Sequence, residues 1–238
     1  MLCPQDCYKN SEFTHERKFF VPELDSHAAE AIVKSNPGVF TEIYGERTVN
    51  NIYLDSPRLE SYHDNVRGSP QRAKARIRWY GDLFGRAAGP SLELKIKDSG
   101  LRAKIAYPLK PFTLDRKFVF QALMDNVITK SGLPDWLVSE LKPLKPVLLN
   151  TYSRKYFLSA DKNYRVTIDR GMDYYRILQR DNLFLGHKPA AGVVVELKYG
   201  QSADDGAGAI TNHFPFRLTK SSKYVSGVEA LGIQSAST

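Results

Sequence analysis

The sequence predicts an α+β protein built as a closed antiparallel β-barrel with peripheral helices. Three observations carry this expectation. Many short segments alternate apolar and polar residues with period two, as strands with two unlike faces do. Gly- and Pro-bearing turns separate them. Helical patterning is confined to a few stretches between the strands.

In chain order, residues 1–11 are polar and unpatterned and read as a flexible arm before a domain spanning 12–232, with a tail at 233–238. A strand is expected at 13–21, broken by Pro22, then a helix over 23–35 that stops at Asn36-Pro37-Gly38. Strands follow at 48–55, 73–80, 91–97 and 102–109; the Gly-rich loop 81–90, ending in Pro90, joins two of them as a hairpin, and Ser99-Gly100 makes the next turn. Helices are expected at 115–130 and 134–141, with 142–146 (KPLKP) as a stiff connector. Strands resume at 147–158, 164–169, 173–179 and 192–199, and the last element is a helix over 220–231.

Several strands share one design, an apolar face backed by a charged one. Lys74, Arg76 and Arg78 alternate with Ala75, Ile77 and Trp79. Glu93, Lys95 and Lys97 alternate with Leu92, Leu94 and Ile96. Arg165, Thr167 and Asp169 oppose Tyr164, Val166 and Ile168, while Glu196 and Lys198 oppose Val195, Leu197 and Tyr199. The first strand adds Glu16 and Lys18 on one face. A sheet with one wet face is the plain alternative. Wet faces usually mix neutral polar groups with charges, because like charges stacked across strands repel. Three bases in a row on one strand face therefore call for something negative against them. Closing the sheet with these faces inside makes a basic cavity that is not a dry core, since burying such charges unpaired is prohibitive. A polyphosphate chain and a metal ion held by the acids would supply the counter-charge.

Composition agrees. The 238 residues carry 34 Lys and Arg against 26 Asp and Glu, a net charge of +8 that favours polyanionic partners. No nucleic-acid-binding motif is present and the bases alternate inward, so nucleic acid is not an expected partner. Cys3 and Cys7 form neither a zinc site nor a disulfide framework and read as free thiols. His15, His27, His63, His187 and His213 are scattered without ligand spacing. No stretch approaches bilayer-spanning length and no signal-peptide pattern opens the chain, so a cytoplasmic protein is expected, any membrane partner being a separate chain.

The segments HERKFF (15–20), NIYLDSPRLESY (51–62), AKARIRWYG (73–81), LELKIK (92–97), the Pro146–Tyr156 run, YRVTID (164–169), VVELKY (194–199) and LTKSSKYVSG (218–227) together resemble the triphosphate tunnel metalloenzymes, and in particular the VTC domain of the vacuolar transporter chaperone complex. The resemblance implies a tunnel-shaped barrel. It makes Lys18 the first-strand lysine, Arg76 and Arg78 the R-x-R pair able to fork onto phosphate oxygens, and Lys95 and Lys104 further phosphate ligands. Arg154 and Arg165 match the two arginines of the second half, Glu196 the metal-binding glutamate, and Lys220 and Lys223 a closing helix face. Where many tunnel hydrolases open Glu-x-Glu-x-Lys, this chain reads Thr14-His15-Glu16-Arg17-Lys18, without the first glutamate, which fits the VTC branch better.

On this basis Lys18, Arg76, Arg78, Lys95, Arg154, Arg165 and Lys198 are expected to act on the transferred phosphate, and Lys74, Lys97, Lys104, Lys220 and Lys223 to help bind the chain. Glu196, with Asp169 or Glu16, would hold a divalent cation, Mn²⁺ or Mg²⁺. The expected ligands are ATP and inorganic polyphosphate or tripolyphosphate, and the expected activity is polyphosphate synthesis from the ATP γ-phosphate. A triphosphatase of the same fold and a polyphosphate-binding module without turnover are the alternatives. Oligomeric state is not legible in the sequence.

Overall fold

The structure is a computed structural model that describes residues 13–98, 101–184 and 186–235. The expected arm at 1–11, both cysteines, the 99–100 turn and the end of the expected tail lie outside the described residues.

The elements run β1 (Thr14–Val21), α1 (Ser26–Lys34), β2 (Thr41–Asp55), α2 (Glu60–Arg67), β3 (Arg72–Tyr80), β4 (Gly85–Ala87), β5 (Ser91–Asp98), β6 (Leu101–Pro108) and β7 (Phe112–Leu114). They continue with α3 (Phe120–Leu123) and a π-helical turn (Met124–Ile128), α4 (Asp135–Leu141), β8 (Lys145–Leu158), β9 (Tyr164–Arg176), β10 (His187–Ala190), β11 (Val193–Gly200), α5 (Ala207–Thr211) and α6 (Lys223–Ala230). The strand order β9-β11-β1-β6-β5-β3-β2-β8 closes because β8 pairs back onto β9, giving an eight-stranded antiparallel barrel; β10 extends β9 outside the circuit, and β4 with β7 makes a separate ribbon. The weakest seam is β1–β6, with the single registered pair Thr14–Arg102. There the edge of β1 is taken up by residues 218–219: Phe19 bridges Leu218, and the Thr219 N–H donates to the Lys18 carbonyl at 2.8 Å.

Alternation decides which side of each strand faces out. Ala75, Ile77, Trp79, Leu92, Leu94 and Ile96 pack outward under Ile128, Leu137 and Leu141 of the helical cover. On the opposite wall Phe157, Val166, Ile168, Val195 and Leu197 pack against Ala29 and Val33 of α1. Each such side chain fully buried contributes about 1.5–3 kcal/mol. The Asp25 carboxylate caps α1 by accepting from the His27 and Ala28 N–H groups, both at 2.8 Å.

One helix plugs the barrel. Tyr224 and Val228 of α6 pack on Tyr53, Leu148 and Tyr174, whose side chains point inward. A Cβ on Gly227 would sit 2.5 Å from Leu148 Cδ2 and 2.7 Å from Tyr174 Cδ1, so only glycine lets the helix approach this closely. The Tyr224 hydroxyl donates to Asp55 Oδ2 at 2.6 Å, and the same carboxylate accepts from the Ser61 and Tyr62 N–H groups at 3.0 Å, tying α6, α2 and β2 together.

The structure departs from the sequence reading in five places. The second strand begins at Thr41 rather than 48, because irregularities in its pairing with β8 break the alternation over 42–47. The expected 115–130 helix shrinks to one α turn and one π turn. The expected strands 164–169 and 173–179 are one strand that bends at Gly171, whose φ is +58°. Helix α2 was not expected because its buried residue is the polar Ser61, so it carries no apolar stripe, and α5, β4, β7 and β10 were not expected, being too short for a periodic signal. The last helix starts at Lys223, where the Ser222 hydroxyl caps it, and not at 220. No helix among the described residues is long and apolar enough to cross a membrane.

Candidate active site

Cross-strand partners share a face of the sheet. Register sets Lys18 opposite Glu196, Glu16 opposite Lys198, Arg76 opposite Glu93 and Lys74 opposite Lys95. It also sets Lys95 opposite Lys104, Lys97 opposite Arg102, Lys198 opposite Arg165 and Arg154 opposite Asp169. All of these lie on the face turned away from the two outer cores. The barrel strands thus bring Lys18, Lys74, Arg76, Arg78, Lys95, Lys97, Arg102, Lys104, Arg154, Arg165 and Lys198 around four carboxylates, Glu16, Glu93, Asp169 and Glu196.

The carboxylates organise three clusters. In the first, Arg76 donates to Glu93 Oε2 from Nε at 2.9 Å and from Nη2 at 2.5 Å. Arg78 donates from Nε to Asn51 Oδ1 at 2.8 Å and from Nη2 to the Tyr152 hydroxyl at 3.0 Å, and its Nη1 lies 3.7 Å from Glu93. Both guanidiniums are buried and fixed from neighbouring strands. Burial pushes the Glu93 pKa up, but Arg76, Arg78 and Lys104 outweigh it and hold it well below the usual carboxylate range.

In the second cluster Lys18 Nζ lies 2.7 Å from Glu16 and 3.3 Å from Glu196, Lys198 lies 3.0 Å from Glu196, and Arg102 lies 2.6 Å from Glu16. Burial and the Glu196 charge raise the Glu16 pKa, yet Lys18, Lys95 and Lys198 bring it down to about 2. In the third, Arg154 grips Asp169 with two hydrogen bonds, at 2.5 and 2.7 Å, and Lys223 at the start of α6 takes the same carboxylate at 2.5 Å. The plug is thereby latched to the barrel wall.

Two inward lysines make no ion pair with an acid among the described residues. Lys95 has no ion-pair or hydrogen-bond partner among the described residues. Burial holds its pKa well below the usual lysine range, helped by Arg76 and opposed by Glu16. Among the described residues Lys74 donates only to the Ser222 hydroxyl, at 3.0 Å. Burial, then the charges of Lys18, Arg72 and Arg76, lower its pKa to about 7. Neither lysine is directly neutralised by a carboxylate among the described residues.

The acids differ in their fitness for a divalent cation. Glu16 and Glu196 are close enough to perturb one another. Among the described residues Thr167 Oγ1, opposite Glu196, is buried without a hydrogen-bond partner, while Glu16 Oε1 is buried against the Lys18 ammonium at 2.7 Å. Oxygens gathered in this way, one of them without a donor, suit a hard cation. Asp169, expected from the sequence as a further ligand, has both oxygens committed to Arg154 and Lys223. Among the described residues no group of three His, Cys, Asp or Glu is arranged to hold a metal by itself.

The remaining expected residues stand at the rim. Lys104 is half exposed and reaches Glu93 at 3.4 Å, and Arg165 is exposed at the end of its strand. Lys97 feels the charges of Arg72, Arg102 and Lys220. Lys220 is exposed in the extended segment before α6, so it does not share a helix face with Lys223.

The VTC domain profile matches residues 7–232. The chain belongs to the VTC domain family. Its fold is also seen in an X-ray structure from Vibrio parahaemolyticus of a protein provisionally assigned as an adenylate cyclase. The two share 12% identity, covering 93% of this chain and 99% of the other at a TM-score of 0.51. No curated protein sequence matches the chain.

Within this VTC domain, sequence reasoning missed Arg102, Asn51, Tyr53 and Tyr152. Arg102 stands two residues before Lys104 on β6 and was recoverable by alternation. Tyr152 stands two residues before Arg154 on β8 in the same way. Asn51 and Tyr53 are neutral and gave no charge signal. Tyr53 receives a hydrogen bond from Arg76 Nη1 at 3.4 Å.

Proposed function

We propose that this VTC domain is a metal-dependent phosphotransferase that takes the triphosphate of ATP into the barrel and extends an inorganic polyphosphate chain. The observation that carries the proposal is the surplus of inward bases over acids, with Lys95 and Lys74 half-buried beside other cations and forming no ion pair among the described residues. A polyanion threaded between them would relieve that repulsion. Arg76 and Arg78, held rigid by Glu93, Asn51 and Tyr152, present fixed donors to phosphate oxygens. The Vibrio parahaemolyticus protein that shares the fold is provisionally assigned as an adenylate cyclase, and that assignment is compatible with this reading.

Phosphoryl transfer asks for positioning and for charge stabilisation in line with attack. The terminal oxygen of the acceptor chain would attack the γ-phosphorus, the bond from that phosphorus to the β–γ bridging oxygen would break, and ADP would leave. Arg76, Arg78 and Lys95 would neutralise charge on the transferring group, and Lys18, Arg154 and Lys198 would hold the chain on either side. Glu16 and Glu196 would hold a Mn²⁺ or Mg²⁺ ion, which when bound draws charge from the phosphate oxygens. With water as acceptor the same site would be a triphosphatase. Incubating the protein with ATP and Mn²⁺ is expected to yield long phosphate chains on a gel. Free phosphate without chains would establish hydrolysis instead, and the absence of both under Mn²⁺ and Mg²⁺ would leave a binding module.

A second expectation concerns protons. Lys74 in the free protein has its pKa lowered to about 7, so at pH 8 it is mostly neutral. A bound polyanion favours the charged form and raises that pKa. Between the free and bound values the complex holds more protons than the free protein, so binding takes up protons and affinity falls as pH rises above about 7. Calorimetric titration of tripolyphosphate at pH 8, in buffers of different ionisation enthalpy, is expected to show net uptake. Uptake no greater than that of Lys74→Met, which reports the ligand's own proton changes, would contradict a polyanion beside Lys74.

A further inference from the structure

The inner faces of β2, β3 and β8 change chemistry along their length. Toward the barrel centre they carry Arg78 and Arg154. Farther out, on the same faces, they carry Arg47, Tyr80 and Tyr156, and Tyr44 is registered opposite Tyr156. The Arg47 guanidinium lies 4.5 Å from the ring centre of Tyr44, 5.8 Å from that of Tyr156 and 5.9 Å from that of Tyr80. The Arg154 guanidinium lies 5.8 Å from the same Tyr156 ring, so this one side chain joins the outer group to the buried basic cluster.

The outer group does not look like packing. Tyr44 and Tyr80 remain 48% and 49% exposed, and Arg47 is exposed and makes no ion pair with an acid among the described residues. Flat rings with a guanidinium laid over them offer π-faces and a delocalised cation at the opening of a phosphate-sized basic cavity. An inorganic polyphosphate has no π-surface and would call for more cations at this place. A nucleobase is the group that uses both rings and guanidinium.

We propose that Tyr44, Arg47, Tyr80 and Tyr156 form a stacking platform for the base of a nucleoside triphosphate whose phosphates lie against Arg78 and Arg154. Tyr80 is two residues from Arg78 on one strand, a rise of about 7 Å, which suits a base tethered through its ribose to the nearest phosphate. Stacking of this kind selects for a base over none and discriminates weakly among bases, so the platform separates nucleotides from inorganic triphosphate. The inference rests on the reading of the barrel as a phosphate site, and its test keeps the two apart.

Calorimetric titrations of ATP and of inorganic tripolyphosphate are compared for the unaltered protein, Tyr44→Ala and Tyr44→Phe, with no divalent metal added so that no turnover intervenes. Loss of the ring is expected to weaken ATP about tenfold, while tripolyphosphate stays within about twofold; Tyr44→Phe keeps the ring and is expected to keep ATP affinity. Equal losses for both ligands, or no loss for ATP, would overturn the platform while leaving the phosphate site standing. Failure of the unaltered protein to bind either ligand would overturn both.

Discussion

Replacing Arg78 by alanine is expected to weaken tripolyphosphate binding by about 10- to 100-fold, the range set by losing a charge-assisted hydrogen bond of about 1.5–3 kcal/mol. The expectation follows from how the side chain is held. Its Nε is committed to Asn51 and its Nη2 to Tyr152, and Glu93 approaches Nη1 only at 3.7 Å. Fixed in this way, the guanidinium loses little freedom when a phosphate arrives. Lysine at the same place would keep the charge but lose the planar fork and its two protein contacts, so Arg78→Lys should recover only part of the affinity. Truncation also removes a buried partner of Asn51 and Tyr152, so thermal unfolding of each variant is measured alongside. A variant that melts like the unaltered protein and binds tripolyphosphate equally well would remove Arg78 from the site.

Glu196→Gln should show the opposite pattern: turnover reduced by at least about 100-fold, as for loss of a key charge-stabilising group, with tripolyphosphate binding unchanged or slightly tighter. Glutamine nearly preserves the side chain's shape. It removes one of the two carboxylates that would hold the cation and leaves Lys18 and Lys198 without their shared anionic partner. Those ammonium groups then become more available to phosphate, which is why binding should not suffer. Asp169→Asn tests the division of labour among the acids. Its carboxylate serves Arg154 and Lys223, so the change should lower the melting temperature by loosening α6. A collapse of turnover in Asp169→Asn with stability intact would restore Asp169 as a ligand.

How much of this was legible in the sequence depends on the signal each residue gave. That Lys74, Arg76, Arg78, Lys95 and Glu196 share the faces opposite Ile77, Trp79, Leu94 and Val195 followed from strict alternation, whereas closure of the barrel around them rested on the repulsion of like charges and on the resemblance to the tunnel fold. The first half of β2 was not legible, because irregular pairing destroys the period on which the reading depends. The partners of Asp169 were not legible for a related reason. Sequence shows that a carboxylate lies among bases, but not that Arg154 and the start of α6 converge on its two oxygens. Lys220 was grouped with Lys223 by helical spacing, whereas Ser222 starts the helix between them. The last helix was legible but its role as a plug was not, since the decisive feature is the missing side chain of Gly227 against Leu148 and Tyr174.

The measurement closest to the central claim is an X-ray structure of crystals soaked in tripolyphosphate. The phosphate chain should lie inside the barrel with oxygens within hydrogen-bonding distance of Arg76, Arg78 and Lys95, between the α6 plug and the tyrosine-lined opening. Phosphate bound only to outward-facing lysines, with the interior holding water alone, would contradict it.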